Sequence, residues 1–250
     1  MILSFLAFVA VFSVIVLVHE FGHFVAARKS GIRVYEFSIG FPFSPRLCTL
    51  LRHKETEFTL RLLPLGGFVS FSKDGDDKAK DLFEASCFKR ALIMSAGSFF
   101  NIAFAFMVFI PVFMIGQHLH FIDAISFSAK TIWGILSGTV ILLLNLFSGH
   151  GGIEGLSGPV GIATMAGQAA SKGFLFLLYF TGVLSMSLGI MNLFPLPALD
   201  GGQLLMLFIE AVIKKPIGLK THQVVNLIGF ALFIILLVFV TYHDVVRLIA

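Results

Sequence analysis

Two histidines and a glutamate stand together near the start of the chain, in the sequence HEFGH at residues 19–23. On a helix, His19 and His23 lie one turn apart on the same face, so both imidazoles can bind one metal ion. Glu20 then lies beside the metal without binding it, where it can accept a proton from water. About 0.01 such pentapeptides are expected by chance at this composition. The spacing therefore predicts a zinc site with Glu20 as the general base.

The residues before this motif make a purely structural role costly. Residues 2–18 contain no charged side chain, and an ionisable group in a helix of that kind is expensive and usually functional. The alternative is that these polar groups lie at the end of their own helix and pair with side chains of other helices. Three adjacent ionisable groups would be costly there without a shared ion, which favours the metal.

A catalytic zinc ion needs a third protein ligand and one open position. Asp200 is the best candidate, because it follows an apolar run in a segment where Pro195 and Pro197 prevent regular helix. Non-helical backbone at membrane depth is tolerated only where protein or a water-filled cavity surrounds it, as a hydrolase requires. Alone, Asp200 would suit a helix cap or turn. With HEFGH present, we predict that it is the third ligand.

The elements that must position these residues are membrane spans. The chain is 57% hydrophobic and 13% charged, about half the charged share of a soluble protein. Several uncharged runs reach the ~20 residues that cross a bilayer; they cover residues 2–18, 91–117, 131–149, 173–199 and 223–240. We predict an integral membrane protein. No Lys or Arg precedes the first run and no small-residue cleavage site follows it, so we expect a span and not a signal peptide.

The basic residues predict the orientation of these spans. Twelve of the eighteen Lys and Arg lie within residues 28–90, and three more lie within 214–220. The positive-inside rule then places residues 28–90 and 200–222 in the cytoplasm and the N-terminus outside. Topology accounts for the net charge of +4, so no nucleic-acid partner is expected. Cys48 and Cys87 fall in the cytoplasmic part and are expected to be free thiols.

Residues 35–71 interrupt the helices with Phe, Thr, Gly and Pro, which indicate strands and turns; Glu57–Leu62 fits a short strand. Residues 125–149 are apolar enough to span, but a stripe of small polar residues also suits a helix lying in the interface. Residues 149–173 are rich in Gly and Ser and suit a loop or re-entrant segment. The predicted fold class is an all-α polytopic membrane protein with a small membrane-associated β-hairpin, about four transmembrane helices and one interfacial or re-entrant helix.

Two motifs resemble the paired signature of the site-2 protease family of zinc intramembrane proteases: HEFGH, and NLFPLPALDG from Asn192 onward. FSIGF, TEFTLRLLPLGGFV, SAGSFFN and LSGPVGI resemble bacterial regulator-of-sigma-E proteases, in that order. The resemblance implies a zinc-dependent endopeptidase acting in the lipid bilayer of the bacterial inner membrane, with its active site toward the cytoplasm. The implied substrates are single-span membrane proteins, such as anti-sigma factors in regulated proteolysis or remnant signal peptides.

The resemblance also implies roles for individual residues. His19, His23 and Asp200 would bind zinc, and Glu20 would be the general base. Asn192 would help to bind substrate or stabilise the oxyanion. The edge strand of the hairpin, expected at Glu57–Leu62, would pair with the extended substrate, and a GxxxN packing motif would lie nearby. The expected substrate-binding residues are Glu57, Phe58, Thr59, Leu60, Gly66, Gly67, Gly97, Asn101, Pro195 and Pro197.

One departure from the resembled subgroup concerns its PDZ domains, which lie between the second and third spans. Only about nine residues, 117–125, separate the second span from the next apolar stretch here. We expect one protease core over 1–250, with residues 35–71 as a cytoplasmic hairpin region, residues 125–172 as an outer-face amphipathic or re-entrant region, and no PDZ or CBS domain. Two alternatives stay open: another membrane HExxH protease, and a non-catalytic metal-binding scaffold or transporter, which would not need Glu20.

Overall fold

The computed structural model describes residues 2–42, 44–63, 66–72, 82, 84–148 and 157–249. Helices dominate these residues, and a small sheet lies between the first two of them. The elements of the described part, in chain order, are α1 (Ile2–Lys29), β1 (Glu36–Ile39), β2 (Arg46–His53), β3 (Thr56–Arg61), β4 (Gly67–Ser70), α2 (Cys87–Gly116), α3 (Phe121–Phe147), α4 (Pro159–Lys172), α5 (Phe174–Asn192), α6 (Asp200–Ile213) and α7 (Leu219–Ile249).

Helix α1 carries the HEFGH motif near its C-terminal end. Its 28 residues make it about 42 Å long, enough to cross a bilayer. Its buried residues recur every three or four positions, as expected for one face of a helix; they are Ala7, Val11, Ile15, His19, Gly22, His23, Ala26 and Ala27. The motif therefore lies on the stripe that faces the protein, and not on the lipid side.

The strands form one mixed sheet in the order β2-β3-β1-β4. Strand β1 runs parallel to β3 and antiparallel to β4, and β2 pairs with β3 as an antiparallel hairpin. The expected hairpin is thus half of a larger sheet. The prediction that Glu57–Leu62 is an edge strand is wrong, because β3 has a partner on each side. Among the described strands, the open edges belong to β2 and β4.

The face of the sheet is held together by a buried carboxylate. Thr59 Oγ1 donates a hydrogen bond to Glu36 Oε1 at 2.5 Å, and Arg61 Nη2 donates to it at 3.1 Å. Burial raises the pKa of Glu36, but these hydrogen bonds and the charges of Arg61 and Arg46 outweigh it, so the pKa lies below its usual range. On the sheet, Phe37 and Phe58 pack their rings on Phe24 of α1, which fixes the sheet against the end of that helix.

The bundle is built around α2, which packs against α1, α3, α5 and α6. Its residues Ala105, Phe109, Val112 and Phe113 share one core cluster with α3 and α5. At its other end Ile93 joins a second cluster with residues of α1. Helix α2 therefore runs the length of the bundle as its central element.

Two polar contacts near its ends tie α7 to the bundle. Near one end, His222 Nε2 lies 3.3 Å from Glu210 Oε1 of α6, whose other oxygen accepts from Arg90 of α2 at 2.8 Å. Near the other end, Asp244 Oδ2 accepts from the Gly161 amide of α4 at 2.7 Å. His222 and Asp244 are about 33 Å apart along the helix, a full hydrocarbon thickness.

Five described helices are long and apolar enough to cross a membrane: α1, α2, α5, residues 121–142 of α3 and residues 220–247 of α7. Many large apolar side chains on them are exposed, as for a protein surrounded by lipid. The predicted polytopic, mostly helical class is confirmed. Residues 125–147 and 159–172 lie in the helices α3 and α4, while 149–156 lie outside the described residues. How many helices cross stays a prediction.

Candidate metal centre

Three side chains from opposite parts of the chain meet at one point inside the bundle. Asp200 Oδ2, at the start of α6, lies 3.0 Å from His19 Nε2 and 3.2 Å from His23 Nε2. The two Nε2 atoms are 3.1 Å apart. Both histidines are buried and Asp200 is partly buried. Among the described residues, this is the one group of three or more His, Cys, Asp or Glu side chains that could hold a metal ion.

The spacing of these atoms fits a zinc ion. A tetrahedral site with ligand bonds of about 2.0–2.2 Å separates its ligand atoms by about 3.3 Å, close to the separations found here. Asp200 Oδ2 is also buried without a hydrogen-bond partner of suitable geometry among the described residues. Such an atom is costly unless something pairs with it. Two imidazoles and one carboxylate are also the donor set of known catalytic zinc sites.

The outer nitrogen of each imidazole faces α2. His23 Nδ1 lies 2.7 Å from the carbonyl oxygen of Ile93, and His19 Nδ1 lies 3.4 Å from the side-chain amide of Asn101. Both Nε2 atoms are thereby turned toward Asp200. Outer contacts of this kind set the tautomer and ring orientation of metal-binding histidines.

Gly97 lets α2 approach the two histidines. A Cβ atom built at Gly97 would lie 2.5 Å from His23 Nε2 and 2.8 Å from His19 Nε2. Any side chain there would therefore occupy the space between the imidazoles. The expected GxxxN motif thus contacts the site through both of its members, Gly97 and Asn101.

Asp200 reaches the site because the chain unwinds between α5 and α6. Residues 193–199 form turns, with Ala198 in the left-handed region at φ 72°. Pro195 and Pro197 lie in this segment, as the sequence analysis expected, and Asp200 opens the next helix. Pro197 is in contact with Gly229 of α7, so it also supports the packing of that helix.

Asn192 and Glu20 lie beside the three converging side chains. Asn192 Nδ2, at the last position of α5, is 3.5 Å from His19 Nε2. Glu20 follows His19 and borders β4, since a Cβ atom at Gly67 would lie 3.6 Å from Glu20 Cγ. Gly66 likewise borders Val16 of α1. The strand β4 therefore runs next to the site.

The remaining predicted substrate residues lie away from any open edge. Glu57, Phe58, Thr59 and Leu60 are in β3, between two strands. Thr59 bonds Glu36, and Glu57 accepts from Arg46 at 2.9 Å. Sequence reasoning missed two groups that contact the site: the Val69 amide of β4, which hydrogen-bonds Glu20, and the backbone carbonyl of Ile93. The glycine pair at the start of β4, Gly66 and Gly67, was a sequence signal for the position of Val69. Nothing in the sequence marks the Ile93 carbonyl.

Residues 7–236 match the model of Peptidase family M50. The chain belongs to this family. A Clostridium perfringens protein named as a zinc metalloprotease is 29% identical over 94% of this chain and 96% of its own length. A Rhizobium meliloti protein with the same kind of name is 25% identical over 95% of both. The regulator of sigma-W protease RasP of Bacillus subtilis is 41% identical over 51% of this chain and 30% of its own.

These relatives confirm the predicted class of enzyme, a zinc metalloprotease in a multi-pass membrane protein. They also show a difference in length. The alignment with the Clostridium perfringens protein is 325 positions long. It includes 94% of the 250 residues of this chain, or about 235. About 90 positions of that alignment therefore have no residue here. In this chain, four residues, 117–120, connect α2 to α3.

Proposed function

We propose that this protease is an intramembrane endopeptidase that cleaves single-span membrane proteins. Its zinc ligands are His19, His23 and Asp200, and its general base is Glu20. The observation that carries the proposal is that Asp200 of α6 meets two histidines of α1, a helix long and apolar enough to cross a membrane, with the three ligand atoms 3.0–3.2 Å apart. His19 and His23 lie about 8–14 Å from the basic end of α1, so the peptide bond must be cut below the membrane surface.

The chemistry assigns one task to each side chain. A zinc ion held by these ligands would supply Lewis-acid activation of water and of the scissile carbonyl. Glu20, next to His19, accepts the proton of the attacking water and passes it to the leaving amine. The Asn192 amide, 3.5 Å from His19 Nε2, donates to the carbonyl oxygen as negative charge develops on it.

The substrate reaches this site as an extended strand along β4. A peptide bond within a helix is shielded by its own hydrogen bonds, so the substrate must unwind and find new main-chain partners. The Gly40 amide donates to the Gly66 carbonyl at 2.9 Å. Since antiparallel partners alternate, the amides of Phe68 and Ser70 point toward β1 and that of Val69 points to the open edge. In the substrate-free protein this amide hydrogen-bonds the Glu20 carboxylate, and a substrate strand that pairs with β4 takes the place of Glu20 there.

Charge distribution and the relatives support the location and partners that we propose. The protein is embedded in the bacterial inner membrane with its active site toward the cytoplasm, as the basic residues of 28–90 favour. Its substrates are anti-sigma-factor-like proteins or remnant signal peptides; the name of RasP as a regulator of sigma-W protease supports the first. Nucleic acid is not a partner.

Glu20→Gln tests the proposal against a non-catalytic metal protein. The wild type should hold about one zinc ion per chain and cleave a tagged single-span substrate. Glu20→Gln should keep the zinc and lose at least about 10²-fold in cleavage rate, because it can no longer take the proton. His19→Ala, His23→Ala and Asp200→Ala should lose the metal.

His120→Ala, in the connection between α2 and α3, is the matched control and should behave as wild type in both assays. Zinc content comes from metal analysis of purified protein, and cleavage from gel mobility of the substrate. Full cleavage by Glu20→Gln, or zinc retained by His23→Ala, would contradict the proposal. Zinc binding without cleavage of any substrate in a wide panel would favour the scaffold.

A further inference from the structure

His19 needs a hydrogen-bond acceptor on the side away from the metal. A neutral imidazole that binds a metal through Nε2 carries its proton on Nδ1. For His23 the acceptor is present, since its Nδ1 lies 2.7 Å from the Ile93 carbonyl oxygen. Among the polar contacts of described residues, the one to His19 Nδ1 comes from Asn101, at 3.4 Å.

The Asn101 side chain can supply that acceptor in one of its two orientations. It is fully buried, and its Oδ1 has no hydrogen-bond partner among the described residues. The two ends of an amide are distinguished only by their hydrogen bonds. With Nδ2 toward His19, the amide suits an imidazole protonated on Nε2, which cannot bind a metal. A half turn of the amide brings Oδ1 to the Nδ1 proton and frees Nε2.

We infer that Asn101 is a positioning residue whose Oδ1 accepts the Nδ1 proton of His19 and so holds this ring ready to bind zinc. The inference rests on the proposed function, in which His19 is a zinc ligand. It gives both imidazoles an acceptor on the same helix: the backbone of α2 for His23 and a side chain of α2 for His19.

Packing alone does not account for an asparagine at this position. A buried amide with an unpaired oxygen is costly, and an apolar side chain of similar size would avoid that cost. The contact between α2 and α5 has its own hydrogen bond, from Ser185 Oγ to the backbone oxygen of Asn101 at 3.0 Å. The side-chain amide is therefore left for His19.

Three variants separate positioning from packing. Asn101→Leu keeps the size and removes the acceptor, so zinc affinity should fall about 10–100-fold while the metal-free protein stays as stable as wild type. Asn101→Asp keeps an acceptor and should bind zinc within a few-fold of wild type. Ser185→Ala, the control for the helix contact, should lower the unfolding temperature and leave zinc affinity unchanged.

The measurements are zinc affinity, by competition with a chelator, and the unfolding temperature of the metal-free protein. Zinc affinity unchanged in Asn101→Leu would overturn the inference. If Asn101→Leu does not fold, Asn101→Asp decides alone: loss of zinc there would mean that the amide acts as a donor, which also overturns it. A wild type that binds zinc no better than His19→Ala would instead refute the proposed function.

Discussion

At the residue scale, Gly97 sets how closely α2 can approach the two imidazoles. Because a Cβ atom there would lie 2.5 Å from His23 Nε2, Gly97→Ala should push the rings apart or move α2 away. We expect zinc content to fall below about one tenth of wild type, since ligand positions within about 0.5 Å matter for such sites. Metal analysis of the purified variant gives the result.

Gly116→Ala is the control for Gly97→Ala, because it lies on the same helix with no atom within 4 Å of the new methyl group. It should keep its zinc. If Gly97→Ala also binds one zinc ion per chain with wild-type affinity, then close packing of α2 on the two imidazoles is not required for zinc binding.

The sequence could predict the part of the site that is local. His19, Glu20 and His23 share one helical turn, so their spacing alone brings them together. Asp200 required a further argument, from the prolines before it. The contacts of Ile93 and Asn101 with the histidines join two helices, and no spacing along the chain encodes such a contact. Asn101 entered only through its resemblance to a family motif.

At the element scale, the order of the strands is what sequence reasoning could not supply. The alternating residues of Glu57–Leu62 correctly indicate a strand, but its neighbours depend on non-local pairing. Strand β1, whose residues pair with those 21 positions later in β3, converts an expected edge into the centre of the sheet. The open edge near the site is therefore β4. Its four residues are too few to show the alternation of apolar and polar residues that predicts a strand.

Val69→Pro tests β4 as the strand that binds substrate. Proline removes the outward amide of Val69 and is tolerated at the edge of a sheet. Losing one hydrogen bond of about 1 kcal/mol to the substrate strand should raise KM roughly fivefold and leave zinc content unchanged. Because the same amide hydrogen-bonds Glu20, a fall in kcat with KM unchanged would instead assign the amide to the base. Initial cleavage rates of a tagged substrate measure this effect.

Val69→Ala shortens the same side chain but keeps the amide, so it is the matched control. It should cleave faster than Val69→Pro. Equal rates for the two variants would mean that the side chain, and not the main chain, contributes at this position, and the open edge would then not be where the substrate pairs.

At the scale of the whole molecule, α4 indicates on which side α3 ends. Gly161 of α4 bonds Asp244, at the end of α7 remote from Glu210. Gly167 of α4 is in contact with Ser4, at the end of α1 remote from HEFGH. Helix α4 therefore lies at the face opposite the basic residues. Since α2 also ends at that face, we predict that α3 returns to it and does not cross as a single span.

Thiol labelling of intact cells tests this topology. Cysteines introduced at Ser126 and Ser148, both exposed, should both react with a membrane-impermeant reagent from the outer face. The background is Cys48→Ser with Cys87→Ser, because both native thiols are exposed. A chain that keeps Cys48 alone is the inward-facing control and should react only after lysis. Reaction of Ser148→Cys from the cytoplasmic side alone would show that α3 crosses.

The two histidines and Asp200 are far apart in the sequence, so they are synthesised at different times. A ribosome adding roughly 5–20 residues per second needs about 10–35 s to pass from His19 to Asp200. On the proposed assignment of Asp200 as the third ligand, the histidine pair of α1 lacks that ligand throughout this interval. We therefore expect the nascent chain to be inactive at the insertion site until α6, which carries Asp200, has been made.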